Sequence, residues 1–145
     1  SRQETDFWNY YNPKLKACNN IHNHGFVDIE SEKFAQILSQ CGILLNPSIS
    51  EGGAVSVLNV LGNGPLLPVY SEATGIALSE VGICVPNVTY KEFEMALLNL
   101  ATISDVEFEQ KALAAHRLVK DNYTIEQYEK RMYLHLKDII EKTDK

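Results

Sequence analysis

Apolar residues along the chain follow two different periods. Four short runs are rich in apolar residues and bounded by Gly, Pro or Asn: 21–27 (IHNHGFV), 42–47 (GILLNP), 65–70 (PLLPVY) and 82–86 (GICVP). Each predicts a strand. Elsewhere the spacing is helical. Phe34, Ile37, Leu38 and Cys41 recur at i, i+3, i+4 and i+7, and so do Ala54, Val57, Leu58 and Leu61. Thr89-x-x-Glu92 and Ser104-x-x-Glu107 have the form of capping boxes and predict helices near 90–101 and 105–120. Thr124-x-x-Gln127 opens a last helix with a stripe of Ile125, Tyr128, Met132, Leu136 and Ile139. The first twenty residues are aromatic-rich, and a short helix is expected to start at Pro13.

Strands alternating with helices, through connections too long for hairpins, predict an α/β fold. The expected core is a Rossmann-like parallel sheet of about four strands with helices on both faces, followed by a helical C-terminus. Nearly continuous apolar strands agree, because parallel strands are buried on both sides. The chain thus divides into a lead-in helix or loop (1–20), a parallel β/α core (21–86) and C-terminal helices (87–145).

Composition narrows the functional classes. A chain of 145 residues is one domain by length, and its net charge of −6 argues against a nucleic-acid binder, which needs a basic face. No apolar run approaches a membrane span and no secretory signal is recognised, so the expected location is cytoplasmic, with membrane association only through a larger parent protein. Three cysteines make no disulfide framework; Cys41 and Cys84, in apolar surroundings, are expected to be buried free thiols. His22-x-His24 has a spacing that can hold a metal, but only Asp28 stands near as a third ligand, so structural histidines are expected. Between Lys33 and Lys91 there is no lysine or arginine.

The chemistry concentrates where the strand at 42–47 runs into the next helix. In open α/β sheets, ligands bind beyond the carboxyl ends of the strands, at such loops. Gly52 and Gly53 would let a phosphate or sugar approach the backbone at a helix start, and Glu51 would hold sugar hydroxyls by charge-assisted hydrogen bonds. A plainer reading has Ser50 capping the helix, the glycines making a turn and Glu51 complementing the helix dipole. These residues alone leave both readings open.

The order of motifs adds a resemblance. Pro47-Ser48, Ser50-Glu51-Gly52, Gly64-Pro65, Gly75-Ile76 and Gly82-Ile83-Cys84-Val85-Pro86 fall in sequence as in the donor-binding half of the retaining GT-B glycosyltransferases. The segment 20–27 and Tyr123-Thr124 extend the resemblance to about residues 20–140. It implies a Rossmann-like donor domain that transfers a sugar from a nucleoside-diphosphate sugar to an acceptor hydroxyl with retention, and no metal or other cofactor. Glu51 would be the catalytic-site acid on the donor sugar. Ser50, Gly52, Gly53, Thr74 and Gly75 would surround the sugar and diphosphate, and Asn59 would meet the ribose.

Two positions depart from the family pattern. Asn59 stands where a second acid is usual, and Thr74 where a glycine is frequent. The chain is also shorter than one GT-B half, and the family's diphosphate-binding cations fall in the part it lacks. The resemblance therefore implies a fragment that works only with the rest of its parent protein, is inactive alone, and has an open sheet edge inviting self-association. Its acceptor (glycan, lipid or small molecule) is not specified by these residues. The alternatives are a non-catalytic GT-B module used for assembly and a GT-B-fold nucleotide-sugar epimerase.

Overall fold

The computed structural model describes residues 5–50, 54–78 and 80–143. Its centre is β2 (Leu67–Ser71), a strand buried at every position. β1 (Ile43–Asn46) pairs with it in parallel, Leu45 opposite Val69, and β3 (Ile83–Val85) pairs on its other side, Tyr70 opposite Cys84. The strand order is β1-β2-β3. Alternation along β2 sends Leu67 and Val69 into one apolar cluster and Tyr70 into another, so the sheet is covered on both faces.

One face is covered by α3 (Val55–Asn63) and α5 (Asp105–Asn122). Val57 and Leu61 of α3 meet Ala115 and Val119 of α5 above Leu66 and Tyr70. The other face is covered by α4 (Tyr90–Leu100), through Phe93, Ala96 and Leu100, with Ala112 of α5 at its margin. The fold is thus α/β and compatible with a Rossmann-like arrangement, with three strands rather than four among the described residues.

The capping signals set the helix starts as expected. Thr89 accepts from the Glu92 N–H at 3.3 Å, Ser104 from Glu107 at 3.2 Å and Thr124 from Gln127 at 3.3 Å. The Glu92 carboxylate does not turn back to Thr89. It accepts from the Asn87 backbone and side chain at 3.0 and 2.9 Å, pinning the turn after β3 to α4. α6 (Ile125–Thr143) packs chiefly on α5, where Arg131 donates to the Asn122 carbonyl at 2.7 Å.

Four expectations are corrected. The run 21–27 is not a strand: Asn23 accepts from the Gly25 N–H at 2.9 Å, Gly25 is left-handed at φ 66°, and Phe26 is 95% exposed. Turn chemistry here outcompetes pairing. The first helix, α1 (Thr5–Ala17), starts well before Pro13 and carries it inside. Phe7 stacks on Tyr11 at 4.5 Å and the Lys14 ammonium sits 3.6 Å above the Tyr10 ring, so i,i+4 pairs support the helix through the missing N–H. Cys41 is exposed because α2 (Glu32–Leu38) ends before it, and Cys84 because α3 and α5 pack mainly on each other and on the strands before β3. Finally, Ser50 does not cap α3. Ala54 occupies the N-cap in a left-handed conformation, φ 42°, with no side-chain cap.

The surface is large for the mass. A folded monomer of 16.3 kDa exposes about 7,500 Å², whereas this chain exposes 10996 Å². α1 buries no residue at all, and Leu134 and Leu136 of α6 are both 54% exposed. No helix among the described residues is long and apolar enough to cross a membrane.

Candidate functional site

Parallel strands deliver their loops to one edge. The loop after β1 and the turn after β2 therefore leave the sheet side by side, because β1 and β2 are neighbours. The buried Ser71 hydroxyl, at the end of β2, donates to the Ser48 carbonyl, and the Ser48 hydroxyl donates to the Ser50 carbonyl at 3.2 Å. This chain of contacts fixes the β1 loop against β2 and leaves Ser50 exposed.

The β2 end continues into a 3₁₀ turn, Glu72–Thr74. Thr74 is fully buried. Gly75 closes the turn at φ 68°, and a Cβ there would meet nothing within 4 Å, so its role is conformational. Thr74 and Gly75 are thus brought to the same sheet edge as Ser50. Glu51, Gly52 and Gly53 lie outside the described residues.

Two polar atoms at this edge have no partner among the described residues: Nδ2 of Asn46, the last residue of β1, and Oγ1 of Thr74. Burying an amide or hydroxyl without a hydrogen bond costs roughly 1–3 kcal/mol. Buried polar groups of this kind, at the carboxyl ends of adjacent parallel strands, can satisfy a ligand's hydroxyl or phosphate oxygens. Asn46 was not singled out by sequence. Its only signal was an amide ending an otherwise apolar strand.

Asn59 stands apart. It is five residues past Ala54, so about 7.5 Å along α3 from the N-cap. Together with Gly62, Val119, Lys120 and Thr124 it lines a cleft of about 210 Å³ toward the α5–α6 junction. Lys120 supplies a cation in that cleft that the lysine- and arginine-free stretch of the sequence did not reveal. A groove of about 530 Å³ lies elsewhere again, between the end of β1 and α4.

Among the described residues, no three His, Cys, Asp or Glu side chains gather as a metal site, and His22 and His24 are exposed in the irregular segment before α2. His116 has a structural place. Its Nδ1 lies 2.6 Å from the Leu61 carbonyl near the end of α3. Four residues beyond Leu61 stands Pro65, which has no N–H to give, so the imidazole serves that carbonyl.

Among the described residues, Tyr70 is the one buried ionisable group with a large shift. Its hydroxyl pKa is pushed up to about 12, first by burial and then by the charge and hydrogen bond of the neighbouring Cys84, against a smaller opposing backbone contact at Leu78. It is a neutral packing group rather than a base. Compared with known proteins, the chain matches no family model and no curated protein.

Proposed function

We propose that this chain is the distal part of a glycosyltransferase donor domain of the GT-B type, whose full-length parent moves a sugar from a nucleoside-diphosphate sugar to an acceptor hydroxyl with retention. The observation that carries the reading is a pair of buried groups with no partner among the described residues, Asn46 Nδ2 and Thr74 Oγ1, at the carboxyl edge of a parallel sheet. They flank the loop whose motifs resemble the family's donor site, Ser50-Glu51-Gly52-Gly53. In this reading Glu51 holds the donor sugar, and Gly52 and Gly53 offer amides to the diphosphate. Thr74 and Gly75 close the pocket from the next loop. The protein contributes orientation and electrostatic stabilisation of the leaving diphosphate, and no metal is required.

The position of Asn59 supports a second reading. An amide in a cleft toward α5, where a ribose-gripping acid would be expected on the donor side, suits a degenerate, non-catalytic module kept for assembly.

Calorimetric titration with UDP-, GDP- and ADP-sugars separates the two. A donor site gives binding to one base, loss of binding in Glu51→Ala and a changed base preference in Asn59→Glu. Heats that are absent for every donor, or indifferent to Glu51→Ala, favour the module. Either way, sugar transfer by this polypeptide without the rest of its parent is not expected.

A further inference from the structure

The groove of about 530 Å³ between β1 and α4 has the size of a small-ligand pocket, about 300–1,000 Å³. Its lining is mostly apolar. Leu45 and Pro47 come from the end of β1, and Phe93, Leu97 and Leu98 from α4. Among the described residues that line it, Glu94 is the one charged side chain. Its carboxylate accepts from the Tyr90 hydroxyl at 3.3 Å. No lysine or arginine among the described residues pairs with it, although Lys91 stands only three positions before it.

We propose that this groove binds an amphiphilic amine. The alkyl chain lies against Leu45, Leu97 and Leu98, and the ammonium donates to the Glu94 carboxylate beside Tyr90. The charge argument is direct. An apolar body laid in the groove strips water from Glu94, which costs free energy unless the body carries a cation to meet it. The Tyr90 ring, 82% exposed and tied to Glu94 by its hydroxyl, can take the same cation on its face.

Other ligand classes fit less well. A neutral head group leaves Glu94 desolvated and unmatched, and an anionic one meets it with like charge. An extended peptide would bring N–H and C=O groups onto a lining whose polar side chains are only Thr89, Tyr90 and Glu94, and would leave most of them unpaired. An alkyl chain has no polar group to satisfy. The proposal does not depend on what binds at the loop that follows Pro47.

Titration of the methyl-labelled chain with octylammonium, butylammonium, octanol and octyl sulfate, all below micelle formation, tests it. Octylammonium should move the methyl resonances of Leu45, Leu97 and Leu98. It should bind at least about tenfold more tightly than butylammonium, since each fully buried methylene adds about fourfold. It should also bind about threefold more tightly than octanol, with octyl sulfate weakest. Glu94→Gln should erase the advantage over octanol and keep the dependence on chain length. Leu98→Asn, at a side chain already 63% exposed, should fold normally, keep the advantage over octanol and weaken the dependence on chain length. An ammonium advantage that survives Glu94→Gln would overturn the proposal, because a net charge of −6 attracts any cation. Shifts centred on other methyls would also overturn it, as would no saturable binding of octylammonium. So would a self-associated chain in sedimentation velocity whose groove methyls no probe moves.

Discussion

A few residues hold this fold by contacts that no neighbour could replace. His116 serves the Leu61 carbonyl at the end of α3, across 55 positions of sequence. His116→Ala leaves that carbonyl without a donor and should cost about 1–3 kcal/mol in urea unfolding. His116→Asn, too short to reach, should cost nearly as much. Tyr70 gives a pH signature. Its phenol is held neutral, with a folded pKa of about 12 against an ordinary value of 10.0. For a raised acid the stabilisation is fully present below the unfolded value and is lost as pH climbs through the folded one. Two units correspond to roughly 2–3 kcal/mol, lost between about pH 10 and 12. Thermal melts across that range should fall steeply for the native chain and less steeply for Tyr70→Phe.

At the scale of elements, β3 stays in the sheet because residue 82 has no side chain. A Cβ there would lie 2.8 Å from both the Pro68 ring and the Pro68 carbonyl, and 3.0 Å from the Tyr70 ring. Gly82→Ala should therefore lower stability by about 1–3 kcal/mol by overpacking, measurable as a shifted denaturation midpoint at unchanged slope. α6 makes the opposite case. Leu134 and Leu136 are more than half exposed, so Leu134→Glu and Leu136→Glu should each change stability by less than about 0.5 kcal/mol. The periodicity of α6 was legible in the sequence, but not that its apolar face lies bare, since a stripe does not say what it packs against. The three caps at Thr89, Ser104 and Thr124 were legible because each is a local hydrogen bond three residues long. The strand expected at 21–27 failed for the complementary reason. Pairing is non-local, and the Asn23–Gly25 turn is not.

For the whole molecule, the order of loops along the sheet edge follows from parallel connectivity, and this much of the candidate site could be read from sequence. Thr74 and Gly75 do lie at the same edge as Ser50. The orientation of Asn59, and the Asn46 amide that finds no partner among the described residues, could not be read, because both depend on how α5 and β2 pack around them. The excess of exposed surface likewise emerges only when every element is in place. Under the proposed function, the carboxyl edge of β1 and β2 binds a nucleotide sugar. The most direct measurement is amide chemical-shift mapping on the nitrogen-15-labelled chain during titration with UDP-, GDP- and ADP-sugars. The claim predicts saturable shifts for one donor, centred on Asn46, Ser48 and Ser50 and on Thr74 and Gly75. Shifts confined to the β1–α4 groove, or none with any donor, would contradict it.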